Sequence, residues 1–184
     1  IKAKPCMTED IDLDEDFMKL ALKRRTKESK LARNLSSKMY LLLRFPYKFS
    51  GMSQLQKIKL NFTDFGIVTK KVAIGLANGI RKLQRLKSLK ITDLDCSRWN
   101  DRLLEFVTEG IGKVFSLEKL HLDFKDVDKI GSNGFEGILS MLSKLQKLKK
   151  LHLHISTLTL QADMIPELGR VLAKLKSLES IHLT

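Results

Sequence analysis

The chain has 184 residues, 43% hydrophobic and 30% charged, with 34 Lys and Arg against 21 Asp and Glu and a formal net charge of +13. That length holds one domain, with or without an arm. No apolar run approaches the roughly 18 residues of a membrane span, and Ile1 to Asp16 carries no apolar signal-peptide core. Cys6 and Cys96 stand too far apart in sequence to suggest a disulfide framework, so a reducing, intracellular compartment is expected rather than secretion. A surface this basic favours acidic partners: an acidic protein patch, nucleic acid or an anionic membrane.

Residues 1–54 open with an acidic patch, Glu9, Asp10, Asp12, Asp14, Glu15 and Asp16. A basic stretch follows, including Lys23, Arg24, Arg25, Lys27, Lys30 and Arg33 against Glu28. Phe17, Leu20, Leu31, Leu35, Met39 and Leu42 recur at roughly helical spacing, which predicts one or two helices over 16–44. Pro46 and Gly51 mark a junction. The segment reads as a charged, mostly helical N-terminal arm or cap.

From Leu55 to Thr184 the sequence is periodic. Leu55-Gln56-Lys57-Ile58-Lys59-Leu60 recurs with the pattern L-x-x-L-x-L from Leu86, Leu117, Leu148 and Leu178. The period is 31 residues, and 30 for the last copy. A fixed period of this size predicts a stacked solenoid in which each unit covers its neighbour's apolar face. Each copy predicts a strand beginning near 57, 88, 119, 150 or 180, and after each but the last a loop and a helix. The helical columns are Ala73, Leu104, Phe135 and Ile165; Leu76, Val107, Ile138 and Leu168; Ile80, Ile111, Leu142 and Leu172; and Leu83, Val114, Leu145 and Leu175. Steps of three and four residues between columns describe one helix face. The deletion falls in a loop, where length changes are tolerated.

The L-x-x-L-x-L copies with their long period resemble the leucine-rich repeat family in its long, helix-bearing form, typified by ribonuclease inhibitor. The resemblance covers residues 55–184. It implies an α/β solenoid with a curved parallel sheet, helices on the convex side, and binding on the concave face or the rims. Where this family commonly places an asparagine after the strand, position nine of the unit holds Thr63, Leu94, Lys125 and Ser156.

Because strand residues alternate faces, the outward columns follow from the alignment. Position three is Lys57, Ser88, Lys119, Lys150 and Ser180; position five is Lys59, Lys90, His121, His152 and His182; position seven is Asn61, Thr92, Asp123, His154 and Thr184. All four histidines share one surface. His121, His152 and His154 admit three functional readings: metal ligands, a pH switch because stacked imidazoles resist joint protonation, or hydrogen-bond donors to an acidic partner. A solvated polar face is the plain alternative. No cysteine accompanies them, and no metal or other cofactor is expected.

The helix-to-strand turns carry Arg81, Lys82, Arg85, Lys87, Lys113, Lys119, Lys144, Lys147, Lys149, Lys150, Lys174 and Lys176, opposed by Glu118. The strand-to-helix loops carry Asp64, Asp93, Asp95, Asp101, Asp123, Asp126, Asp128 and Asp163. Helix macrodipoles account for the signs of these two rims but not for the density of cations. Cys96, aligned with Phe65, Val127 and Leu158, reads as a core residue; Trp99 reads either as an interface anchor or as tucked under the rim. Gly131-Ser132-Asn133-Gly134 lacks the Lys-Ser/Thr ending of a phosphate loop. No catalytic set stands out, and no small-molecule substrate is expected. The residues point to a non-enzymatic interaction module or scaffold subunit of an intracellular assembly, which takes an acidic protein partner. The alternatives are a ribonucleoprotein component that contacts phosphate through arm and rim and, from the family resemblance, a small-GTPase regulator. An anionic membrane is the weaker partner class.

Overall fold

The computed structural model describes residues 11–12, 54–62, 68–95, 99–125, 131–155 and 164–184. The helices expected over 16–44, the junction, the arm cations Lys23 to Arg33, and Cys6 and Cys96 lie outside them. Strand β1 is Ile11–Asp12, β2 Lys57–Asn61, β3 Ser88–Asp95, β4 Lys119–Lys125, β5 Lys150–Ile155 and β6 Ser180–Leu183. Helix α1 is Lys70–Ile80, α2 Asp101–Ile111, α3 Ser132–Lys144 and α4 Met164–Ala173. The fold is α/β. The strands stand in chain order in one sheet, and every pairing is parallel. Strands β2 to β6 begin at the residues the period predicts.

Alternation explains the layering. In β2, Ile58 and Leu60 are buried while Lys57, Lys59 and Asn61 are half-buried on the other face. The same register places Leu89, Ile91, Leu120, Leu122, Leu151 and Leu153 inward. The helices cover that inward face, each packed on the next, and one apolar cluster runs between the two layers. Burying a leucine of this kind contributes roughly 1.5–3 kcal/mol. Parallel sheets are ordinarily covered on both faces; here the second face keeps its polar side chains and no described element lies over it.

Local chemistry starts and stops the helices. Thr69 accepts from the Val72 amide at 3.4 Å and Asn100 from the Leu103 amide at 3.1 Å, as N-caps do. Gly131 precedes α3 without a side-chain cap; its own amide donates to Asp101 Oδ1 at 2.7 Å, which ties the N-termini of α2 and α3 together. Each helix ends in a turn where an inward leucine or valine amide bonds back three residues, as Leu83 does to Ile80 and Val114 to Ile111, both at 2.9 Å. At the next strand the amides of residues 87 and 88 share the Gln56 carbonyl, at 2.8 and 2.9 Å. The carbonyls of Lys87, Glu118 and Lys149 take the following pairs in the same way.

Three expectations need correction. Leu94 does not occupy the position after the strand. The register shifts between Ile91 and Leu94, so Leu94 pairs with Phe124 and is 2% exposed. A bulge adds one residue to β3 and turns this leucine into the core. It also breaks the position-seven column, because Thr92 does not pair with Asp123. Second, Ile165 is 61% exposed, and α4 buries Met164 and Leu168 instead. The other members of its column, Ala73, Leu104 and Phe135, are buried, and no described helix follows α4. Third, the sheet includes β1, from the acidic patch, with Ile11 opposite Ile58 and Asp12 opposite Lys59. A two-residue strand has no alternation to read.

Candidate functional site

The open face of the sheet carries the histidines and most strand lysines. Register joins Lys59, Lys90, His121, His152 and His182 into one row across five strands. Beside it runs the row Lys57, Ser88, Lys119, Lys150 and Ser180. Parallel strands lie about 4.8 Å apart, so the rings meet. His121 and His152 stack with centroids 4.0 Å apart and planes at 13°; His152 and His182 follow at 4.4 Å and 35°. His154 stands in the next row, its Nδ1 2.6 Å from Thr184 Oγ1 and its Nε2 4.0 Å from Asp123 Oδ1.

Burial first, and the neighbouring charges second, set the protonation of two of these rings. Burial holds the His121 imidazolium down, and His152, Lys90 and His154 repel it further; Asp123 opposes them, and the pKa falls to about 4. His152 is lowered by burial first, then by His182, His154 and Lys90. Both rings are therefore neutral near pH 7, while the lysines of the face carry positive charge. Neutral rings retain one donor and one acceptor each. Of the metal reading, the geometry keeps little: among the described residues no three His, Cys, Asp or Glu side chains converge on a point that could hold an ion.

The basic rim lies at the helix-to-strand turns. Arg81, Lys82, Arg85, Lys87, Lys113, Lys144, Lys147 and Lys149 are all exposed there. Glu118 sits between two of them, 3.7 Å from Lys87 Nζ and 3.4 Å from Lys149 Nζ. Lys113 pairs with Glu109 at 2.6 Å, and Arg85 Nη1 donates to Gln54 Oε1. The expected acids of the other rim fall mostly outside the described side chains; of those that are described, Asp101 bonds the Gly131 amide and Asp123 faces His154. Rim and sheet face are continuous, since Lys87, Lys119, Lys149 and Lys150 lie where turn becomes strand.

Trp99 is 3% exposed, its ring edge-on to Phe62 with centroids 5.6 Å apart. It is buried against Phe62 and is no surface anchor. Two features escape the sequence reading. Phe115, in the turn after α2, is 57% exposed; the repeat gave no reason to single out one turn residue. A polar groove of about 470 Å³ opens between α2 and α3, lined by Glu105, Glu109, Glu136, Thr108 and Lys144. Its acids belong to different helices, so no local motif announces it. Among the described residues no helix is long and apolar enough to cross a membrane.

Compared with protein-family models and with curated proteins, the sequence matches none.

Proposed function

We propose that the chain is a leucine-rich repeat interaction module: a solenoid with a concave parallel sheet, serving as a scaffold or subunit of an intracellular assembly. It takes an acidic protein partner through the lysine rows of its open face and the adjoining rim, without catalysis. The observation that carries the reading is the register, which joins Lys57, Lys119 and Lys150 with Lys59 and Lys90 on one face continuous with the rim cations. Cations so placed attract a partner at long range and select its sign. A ribonucleoprotein role, with phosphate in place of carboxylate, is the second reading, favoured by the preponderance of lysine, which protein interfaces ordinarily lack.

The test replaces Arg81, Lys82, Arg85, Lys144 and Lys147 together with glutamine and measures affinity for poly-glutamate and for a single-stranded RNA across a salt series. Exposed charge contacts are worth roughly 0.2–1 kcal/mol each, so poly-glutamate affinity should fall about tenfold or more. RNA binding that is tighter, with a log–log salt slope near −0.7 per phosphate, would select the second reading. Affinities indifferent to salt and to all five substitutions would remove the rim from consideration.

A further inference from the structure

We infer that Phe115 is the apolar anchor of the basic rim, and that the partner segment it receives is acidic with apolar side chains set among its carboxylates. The inference deepens the acidic-partner reading and rests on it.

The turns after α1, α2 and α3 share one backbone path: Leu86, Leu117 and Leu148 donate to the carbonyls of Leu83, Val114 and Leu145 at 3.0, 3.1 and 3.0 Å. At the residue before last in this turn the first and third copies have glutamine. Gln84 Nε2 donates to the Arg81 carbonyl at 2.6 Å and reaches the Lys113 carbonyl of the next turn at 3.3 Å. Gln146 Nε2 donates to the Ser143 carbonyl at 2.7 Å. These bonds satisfy carbonyls that a helix end leaves open. Phenylalanine has no donor to offer there. Phe115 does not compensate by packing either, since more than half of the ring is in solvent. The chain gives up a capping bond and gains no core contact at this position.

The surroundings define the ligand. Lys113 lies in the same turn as the ring. Lys82 and Arg85 occupy the preceding turn, bonded to this one through Gln84, and Lys144 and Lys147 the following one. A lone aromatic inside a charged ring is the arrangement of a protein hot spot: the ring fills an apolar niche, and the charged border pairs with the partner and excludes water. Single-stranded nucleic acid is instead held by successive aromatic platforms. The positions equivalent to Phe115 hold Gln84, Gln146 and Lys176, so no second platform stands beside it.

The experiment compares two peptides of equal length, one all glutamate and one with leucine at every fourth position, and an oligouridylate of similar charge. Wild type should bind the leucine-bearing peptide about tenfold more tightly than the all-glutamate one, in line with burial of most of a phenylalanine ring. Phe115→Gln, which restores the turn's glutamine, should bind both peptides at the all-glutamate level and melt no lower than wild type. Phe115→Leu, which keeps an apolar group, should retain most of the preference. An undiminished preference in Phe115→Gln, or none in wild type, overturns the inference. So does a Phe115→Gln protein that loses oligouridylate binding while its peptide binding is unchanged, which would assign the ring to a base. Failure of both peptides to bind any of these proteins would instead bring down the acidic-partner reading beneath it.

Discussion

Two glycines inside helices should respond oppositely to the same added methyl group. A Cβ on Gly110 would lie 2.6 Å from Ala77 Cα and 2.7 Å from its carbonyl oxygen, on the facing helix α1. Ordinary contact between such atoms begins near 3.4 Å, so α1 and α2 would have to part by most of an ångström. The obstacle is backbone and cannot rotate away. Forced overpacking of this kind costs about 1–3 kcal/mol. A Cβ on Gly169 of α4 meets nothing within 4 Å. There only the conformational gain remains, about 0.5–1 kcal/mol for alanine over glycine in a helix. Gly110 receives a smaller share of that gain, because it lies in the last turn of α2. The expected net changes are a loss of about 1–2 kcal/mol for Gly110→Ala and a gain of about 0.5–1 kcal/mol for Gly169→Ala. Urea unfolding should show the midpoint moving down for the first and up for the second at unchanged slope. A stabilised Gly110→Ala protein would refute the close approach of α1 and α2, and a destabilised Gly169→Ala protein the open flank of α4.

Leu120→Ala should lose about 2–5 kcal/mol, because this side chain is 2% exposed in the centre of the sheet. The exposed neighbour Lys119→Ala should stay within about 0.5 kcal/mol, and equal losses in a denaturant titration would disprove the assigned facing. Acidification should weaken the fold through His121, whose pKa lies below its ordinary 6.5, at about 4. Between those values the unfolded chain takes up the proton before the folded one, so stability falls as pH drops through that window and levels off beneath it. The full shift corresponds to about 3 kcal/mol, which screening around a partly exposed ring reduces to about 1 kcal/mol. His121→Gln should reduce that slope when midpoints are compared at about pH 7 and about pH 5, the remainder coming from His152, and an identical slope in both proteins would contradict the assignment.

The strand starts and the two outward rows at positions three and five were legible because a parallel sheet preserves the sequence period wherever each unit has the same length. Legibility failed where a unit departs from its neighbours. The bulge in β3 moved Leu94 inward, an effect visible only as pairing. Ile165 kept its place in the alignment but not its burial, which its neighbour Met164 takes in α4. The neutral state of His121 and His152 was only partly foreseeable: alignment put the rings together, but their protonation follows from burial and stacking distance. Phe115 leaves no mark in a repeat pattern, because it is the exception in a column that otherwise holds Gln84, Gln146 and Lys176.

The paired amides at each strand start carry a consequence for how freely this surface can be rewritten. The carbonyls of Gln56, Lys87, Glu118 and Lys149 each receive two amides from the next unit, and the bonds involve main chain alone. Side chains at those positions contribute no hydrogen bond to that register, and proline is the residue that the donating positions must refuse. The alphabet on the rim is therefore nearly independent of the grammar that spaces the strands. A lysine there can become a glutamate, as residue 118 shows beside 87 and 149, with the neighbouring strands still in step. Such a surface can change its charge pattern by substitution while the architecture beneath it stays where it was.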